Sequence, residues 1–153
     1  MTDPVRKTLT VPLRPEQAFD LFTDRIAEWW PTETHSISAG DGAEPRDVRI
    51  EPREGGAVIE DTHDGGTARW GHVTTWEPGR RIGIAWHVGR PAEESTDLDV
   101  TFTPVEDGTR VDLTHGGFER LAETASLRGG YDHGWDLVLL RCYGGFCRAH
   151  LPA

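Results

Sequence analysis

Residues 81–117 read RIGIAWHVGRPAEESTDLDVTFTPVEDGTRVDLTHGG, and this stretch decides the fold. It contains three runs in which apolar and polar residues alternate, the pattern of strands with one buried face. The runs cover residues 81–88, 95–104 and 109–117. Gly89-Arg90-Pro91 and Asp107-Gly108 separate them, and Asp-Gly is typical of a tight hairpin turn. The sequence therefore predicts an antiparallel meander whose apolar face carries Ile82, Ile84, Trp86, Val88, Leu98, Val100, Phe102, Val111, Leu113 and His115.

Working outward, three more short runs precede this stretch, at 46–53, 57–63 and 67–76. The chain starts with an alternating strand over 5–11, and Pro15 then begins a helix where its missing N–H costs little. We expect a second short helix over 26–30 and a polar loop over 32–44. The segment 120–150 repeats apolar residues at helical spacing, which predicts one long amphipathic helix that covers the sheet.

The predicted order is strand, two helices, six strands and one long helix, an α+β domain over residues 1–153. The chain has 153 residues and a formal net charge of −10, which argues against the basic face that nucleic acid binding requires. No apolar stretch approaches the ~20 residues of a membrane span, and the N-terminus lacks the apolar centre of a signal peptide. With no Asn and only one Lys, the composition is typical of a GC-rich bacterial genome. We expect a cytoplasmic protein.

Several short motifs resemble one protein family. They are Ala18-Phe19, Phe22-Thr23, Trp29-Trp30-Pro31, Glu51-Pro52-Arg53, Trp70-Gly71-His72-Val73, Trp76-Glu77-Pro78, His115-Gly116-Gly117-Phe118-Glu119 and Gly134-Trp135. Together they resemble the SRPBCC, START-like (birch-pollen-allergen-like) superfamily, in the branch related to the C-terminal domain of the heat-shock protein 90 ATPase activator. The resemblance implies a helix-grip fold. In this fold a curved antiparallel sheet of about seven strands wraps a long C-terminal helix, two short helices follow strand 1, and an elongated cavity lies between sheet and helix.

The aromatic residues are the main functional signal. By strand parity and helical phase we expect a ligand-binding set formed by Trp30, Trp70, Trp86, Phe102, His115, Phe118, Tyr131 and Trp135. Trp70 depends on which face of strand 67–76 is inward, which alternation leaves open. Aromatic walls with few polar groups suit a small hydrophobic or aromatic ligand, and this is the function that the sequence favours. The alternative is that the same rings form a solid core.

Two further functions stay open. An enzyme of the cyclase, dehydratase or hydrolase type would use the same cavity and requires at least two converging polar groups. The candidate catalytic residues are His115, His72 and Glu60, although His115 also suits a hydrogen-bonded core position. A chaperone-associated interaction module would instead expose an apolar patch, for which Trp29 and Trp76 are the candidates. The eukaryotic activator has an additional N-terminal domain that this sequence lacks, so a chaperone partner is not expected.

Motifs for cofactors and metals are missing. The sequence has no Gly-x-Gly-x-x-Gly phosphate loop and no Cys-x-x-Cys pair, so we expect no cofactor. A metal site requires about four ligands that converge on one point. Two groups of potential ligands do not meet this requirement: Asp61-His63-Asp64, which lies on a hairpin turn, and Cys142-Cys147-His150, which lie on different helix faces. We therefore expect no metal site. The expected partner is a small apolar or aromatic molecule, and the sequence leaves open whether the chain forms a homodimer.

Overall fold

A computed structural model of the chain describes residues 4–88, 90–121 and 124–150. Seven strands form one antiparallel sheet in the order β1-β7-β6-β5-β4-β3-β2. They are β1 (Val5–Val11), β2 (Asp47–Ile50), β3 (Ala57–Asp61), β4 (Thr67–Glu77), β5 (Arg81–Trp86), β6 (Thr96–Val105) and β7 (Gly108–Gly116). Each strand from β2 to β7 pairs with the next, and β1 pairs with β7. The predicted meander is confirmed.

Three helices connect β1 to β2, and one long helix follows the sheet. The first three are α1 (Pro15–Thr23), α2 (Ile26–Trp29) and α3 (Ile37–Gly40). The C-terminal helix consists of α4 (Thr124–Trp135), a π-helical segment (Asp136–Tyr143) and α5 (Gly144–Ala149), and its backbone stays helical at both junctions. Single 3₁₀ turns lie at Ala92–Glu94 and Phe118–Arg120. Within the described residues, no helix is long and apolar enough to cross a membrane.

The helix α3 lies inside the segment for which the sequence predicts a loop. Four residues are too few to show helical periodicity, so the pattern carries no sign of it. The local signal is Ser36, whose hydroxyl accepts a hydrogen bond from the backbone N–H of Ala39 at 3.0 Å. A serine that caps the first turn in this way satisfies one of the N–H groups left free at a helix start.

The concave face of the sheet is apolar and buried. The residues that alternation assigns to it in β5, β6 and β7 are each at most 3% exposed: Ile82, Ile84, Trp86, Leu98, Val100, Phe102, Val111, Leu113 and His115. The C-terminal helix covers this face, and the sheet curls around it. The α+β helix-grip fold is therefore confirmed.

A β-bulge in β4 decides which of its side chains face inward. Gly71 pairs with Val58 while Arg69 pairs with Ile59, so Trp70 is an extra residue between them. Trp70 is fully buried on the concave side, and Gly71 pairs with the concave-side Trp86. His72 pairs with Ala57 and Ala85 and therefore faces the convex side. The bulge answers the question about strand 67–76 that alternation left open.

The π-helical segment shifts the buried stripe of the C-terminal helix. The spacing of apolar residues predicts that Cys142 and Phe146 continue the stripe after Leu139. Tyr143 and Cys147 are fully buried instead, while Cys142 and Phe146 are only partly buried. A π turn contains one residue more than an α turn, so it rotates every later side chain about the helix axis. The Tyr143 hydroxyl then reaches the carbonyl oxygen of Ala18 and donates to it at 2.6 Å.

Aromatic packing fills one end of the interior. Phe22 contacts the rings of Trp29, Phe102 and Tyr143, with centroids 5.2–5.9 Å apart. Phe19 adds a contact to Phe102 at 5.4 Å. These edge-to-face and tilted contacts are favourable ring geometries, and they join α1 to β6 and to the C-terminal helix.

Gly71 and Gly145 give opposite predictions for substitution by alanine. A Cβ at Gly71 would lie 2.1 Å from the carbonyl oxygen of Ala85, a backbone atom that cannot move without disturbing β5. We expect Gly71→Ala to lower the free energy of unfolding by about 2 kcal/mol or more. A Cβ at Gly145 meets nothing within 4 Å. Gly145→Ala should raise the free energy of unfolding by up to about 1 kcal/mol, because alanine favours the helix.

Urea unfolding followed by circular dichroism measures both changes. If Gly71→Ala were as stable as the parent chain, the close approach of β4 and β5 at this position would be contradicted.

Candidate functional site

A pocket of about 280 Å³ lies between β5, the C-terminal helix and the connection from α2 to α3. Its lining is mostly aromatic, and two glycines form part of the helix wall. The lining residues are Trp30, His35, Trp86, Gly130, Tyr131, Gly134, Trp135 and Val138. Gly130 is exposed while Trp86 and Trp135 are buried, so the pocket runs from the surface to the sheet. This is a site between sheet and helix, where the sequence predicts a cavity.

Trp30 is the centre of the aromatic cluster behind and around the pocket. Its ring lies 5.2 Å from Trp70, 5.8 Å from Trp86 and 5.9 Å from Trp135, measured between centroids. The indole N–H of Trp30 donates to the carbonyl oxygen of His35 at 2.7 Å, which fixes the ring and the following loop together. Among the described residues, the buried indole N–H of Trp86 has no hydrogen-bond partner. Three indoles, those of Trp30, Trp86 and Trp135, therefore line the pocket.

A buried hydrogen-bond chain connects the helix to the sheet through His115. Trp135 donates its indole N–H to His115 Nδ1 at 3.1 Å. An indole can only donate, so Nδ1 accepts and the neutral ring carries its proton on Nε2. His115 Nε2 then lies 2.6 Å from the Thr96 hydroxyl, which in turn donates to the carbonyl oxygen of Trp86 at 3.2 Å. Both ring nitrogens are therefore occupied, and neither is free to act on a ligand.

Burial and charge keep His115 neutral. Burial lowers the pKa of His115 from 6.5 to about 3, and the nearby positive charge of Arg90 adds to this shift. The hydrogen bonds act in the same direction, because a protonated ring would turn a second N–H toward the Trp135 donor. His115 is fully buried. Its role in this structure is to hold Trp86 and Trp135 at a fixed distance.

Glu60 is a second buried polar anchor, behind Trp70. Its carboxylate accepts the backbone N–H groups of Ile37 and Ser38 at 2.7 and 2.8 Å, the Ser38 hydroxyl at 2.7 Å and the Trp70 indole N–H at 3.0 Å. Glu60 is fully buried, so these four donors replace its hydration. The carboxylate thereby fixes the first turn of α3 onto β3.

Arg90 lies beside the pocket and is held by oxygen atoms of neutral groups. Its Nη1 donates to the Tyr131 hydroxyl at 3.3 Å, and its Nη2 donates to the Trp86 carbonyl oxygen at 3.2 Å. Its Nε donates to the Glu94 carbonyl oxygen, also at 3.2 Å. The guanidinium lies 6.0 Å from the centroid of the Tyr131 ring. Two pocket-lining residues thus contact a positive charge.

The structure separates the eight predicted ligand-binding residues into three groups. Four of them line the pocket: Trp30, Trp86, Tyr131 and Trp135. Three form the layer behind it, with no exposed surface: Trp70, His115 and Phe118. Phe102 lies in the filled end of the interior, against Phe19 and Phe22.

The three candidate catalytic residues do not converge. His115 and Glu60 are buried with their polar atoms already hydrogen-bonded, and His72 faces the convex side.

The candidate exposed patch does not form either. Trp29 is only 5% exposed, and Trp76 packs edge-on against Phe19 at 5.1 Å.

Sequence reasoning missed the polar and the small residues of the pocket. His35 lies in a segment without periodicity, so no pattern placed its side chain. Gly130 and Gly134 are read from sequence only as weak points of a helix, because a residue without a side chain leaves no apolar signal.

In the described part of the chain, no group of three or more His, Cys, Asp or Glu side chains could hold a metal ion. His63 pairs with Asp41 at 3.3 Å.

We predict that His115 stays neutral on mild acidification and makes the protein acid-sensitive. Its pKa is about 3 in the folded state and near 6.5 in the unfolded state, so only the unfolded state gains a proton as the pH falls from 6.5 to 3. The free energy of unfolding should therefore fall by about 2 kcal/mol between pH 7 and pH 5 from this residue alone.

The difference in pH dependence between the parent chain and His115→Gln measures this effect. Independently, ¹⁵N spectra of the parent chain at pH 5 should show a ring protonated only at Nε2. A doubly protonated ring at pH 5 would contradict the hydrogen-bond chain.

Glu60→Gln should destabilise the fold, because the amide places its own donor against N–H and O–H donors. We expect a loss of about 3 kcal/mol in the free energy of unfolding. Glu51→Gln is the matched control, since Glu51 accepts the Ala57 N–H at 2.7 Å from a more exposed position. The control should lose less than about 1 kcal/mol. Equal losses for the two variants in urea unfolding would refute the anchoring role of Glu60.

Comparison with solved structures finds the same fold in several proteins. A complex of the anthrahydroquino-γ-pyrone synthase Txn09 is 28% identical, with a TM-score of 0.57 over 84% of this chain and 85% of that chain. The Aha1 dimer from Colwellia psychrerythraea, solved in solution, is 19% identical, with a TM-score of 0.65 over 92% of each chain. Protein MLL2253 from Mesorhizobium loti is 17% identical, with a TM-score of 0.66 over 92% of this chain and 93% of that chain.

Comparison with curated proteins found no match. The model of the family described as Activator of Hsp90 ATPase homolog 1-like protein matches residues 12–141, from the end of β1 into the C-terminal helix. This range includes strands β2 to β7, the pocket and both buried anchors. The aromatic and glycine motifs that resemble this branch of the SRPBCC superfamily lie within it. The chain belongs to the Activator of Hsp90 ATPase homolog 1-like family.

Proposed function

We propose that this protein binds a small aromatic molecule in the pocket between β5 and the C-terminal helix. The observation that carries the proposal is the lining itself. Trp30, Trp86, Tyr131 and Trp135 present rings to one space that side chains do not fill. Apolar walls with a few polar groups at the edge are what small-molecule sites share, and flat rings favour flat ligands.

The size of the pocket limits which ligands can bind. Its volume of about 280 Å³ lies at the small end of the ~300–1,000 Å³ usual for ligand sites. A compact ring system fits this space, whereas a long lipid chain does not. The synthase Txn09, at 28% identity, is named for an anthrahydroquino-γ-pyrone, which is itself an aromatic compound. The likeness supports an aromatic ligand for this chain.

A second candidate function is an enzyme that acts on such a molecule, and the synthase relative is the observation that favours it. Two of the described lining residues, Tyr131 and His35, carry a hydroxyl and an imidazole group. Acid–base chemistry in this pocket would therefore fall to Tyr131 and His35 rather than to His115 or Glu60. Turnover of a bound neutral ligand that Tyr131→Phe abolishes without loss of binding would favour the enzyme.

Two other parts of the proposal concern the cellular location and the oligomeric state of the protein. Cys142 and Cys147 both carry free thiols, which suits the reducing cytoplasm where we propose that the protein acts. The sequence leaves open whether the chain forms a homodimer, and the Colwellia psychrerythraea relative is a dimer in solution. On this likeness we propose a homodimer for this chain. Sedimentation of the purified protein measures its oligomeric state.

Filling the pocket should abolish binding without harming the fold. Gly134 lines the pocket, and a Cβ there meets nothing within 4 Å, so Gly134→Leu adds a side chain to empty space in the helix. Gly129 is the matched control, because it is equally unobstructed in the same helix and does not line the pocket. We expect Gly134→Leu to weaken binding at least about tenfold and Gly129→Leu to leave it unchanged.

Binding is measured by quenching of tryptophan fluorescence with 2-naphthol as the probe, since three indoles line the site. Equal affinities for Gly134→Leu and Gly129→Leu would place the ligand elsewhere. No binding of 2-naphthol, 2-naphthamide or 2-naphthoate to the parent chain would refute the proposed function.

A further inference from the structure

On the basis of the proposed function, we propose that the ligand is an aromatic acid whose anionic group is bound by Arg90 and Tyr131. The ring system would lie among Trp30, Trp86 and Trp135, and the carboxylate or other acidic group would lie at the edge of the pocket. The proposal thus names a chemical class of ligand and a pair of residues that selects it.

The first observation is that Arg90 is fixed in place next to the pocket. Three oxygen atoms accept hydrogen bonds from its Nε, Nη1 and Nη2, at 3.2–3.3 Å. Two of these oxygen atoms belong to Trp86 and Tyr131, which line the pocket. A flexible surface arginine would lose side-chain entropy on binding an anion. A guanidinium already held has much less to lose.

The second observation is that no carboxylate in the described part of the chain neutralises Arg90. Throughout residues 4–88, 90–121 and 124–150, no Asp or Glu oxygen lies within 4 Å of its guanidinium, although the chain has 26 acidic residues against 16 basic ones. Its three contacts use three of five N–H groups, since each Nη carries a second hydrogen. These remaining donors suit the fork geometry of a carboxylate.

The third observation concerns the direction of the Tyr131 hydroxyl. Its oxygen accepts an N–H from Arg90, so its own proton is free to point to another acceptor. Tyr131 lines the pocket, and this hydroxyl lies at the point where the aromatic wall meets the charge. An anionic oxygen there would receive a hydrogen bond from Tyr131 as well as from Arg90.

The overall charge makes the proposal specific. A formal net charge of −10 repels anions from the protein as a whole. A preference for an anionic ligand over a neutral one of the same shape therefore requires a local positive group, and Arg90 contacts two residues of the pocket lining. Such a preference would not follow from the aromatic walls alone.

A matched ligand pair tests this inference separately from the proposed function. The ligands are 2-naphthoate and 2-naphthamide, which share ring and shape but differ in charge at pH 7.5. For the parent chain we expect 2-naphthoate to bind at least about tenfold more tightly. In Arg90→Gln this preference should vanish while the affinity for 2-naphthamide stays the same. Arg6→Gln, which removes a charge from an exposed position on β1, is the control and should keep the preference.

Tyr131→Phe gives a second variant that keeps the ring and removes only the hydroxyl. It should weaken 2-naphthoate several-fold and leave 2-naphthamide nearly unaffected. Equal affinities of the parent chain for the two ligands would overturn the anion site and leave the aromatic pocket standing. A preference that survives both Arg90→Gln and Tyr131→Phe would also overturn it.

Discussion

One buried histidine connects the two layers of this protein. His115 on β7 accepts from Trp135 on the helix and is joined through Thr96 on β6 to the backbone of Trp86 on β5. Each contact has a fixed donor and a fixed acceptor, so the chain works only with a neutral ring. In an apolar interior, breaking any one of these contacts would leave a buried polar group unpaired. The spacing of Trp86 and Trp135 across the pocket depends on this requirement.

The other side of the pocket is fixed by Glu60 in a similar way. Its carboxylate holds the start of α3, and the segment between α2 and α3 carries Trp30 and His35. The two polar anchors lie behind the aromatic walls and do not reach the space between them. Their polar atoms serve the structure for this reason, while the hydrogen bond between Arg90 and the Tyr131 hydroxyl lies beside the pocket. A pocket can thus have apolar walls and still be rigid, because hydrogen bonds fix it from behind.

Sequence periodicity predicts the fold well and the site only partly, and the reasons are physical. Alternation finds Trp86 and His115, because strand positions repeat every two residues. It fails at Trp70 and His72, where a bulge inserts a residue, and after Leu139, where the π turn rotates the helix. Both features follow from long-range packing and leave no local pattern. The polar atoms of Glu60 likewise find their donors in α3, which the sequence does not reveal.

The glycines of the C-terminal helix leave the interior open beside Trp86. In the filled end, Tyr143 and Phe22 meet ring to ring. Opposite Trp86 the helix has Gly130 and Gly134, and a glycine inside a helix costs about 1 kcal/mol relative to alanine. A Cβ would meet nothing at either position, so steric necessity does not account for them. Larger residues there would strengthen the helix and bury more apolar surface, and both effects would stabilise the fold. Stability alone would therefore favour filling this space, and the open space beside four aromatic side chains supports the proposal that a ligand binds there.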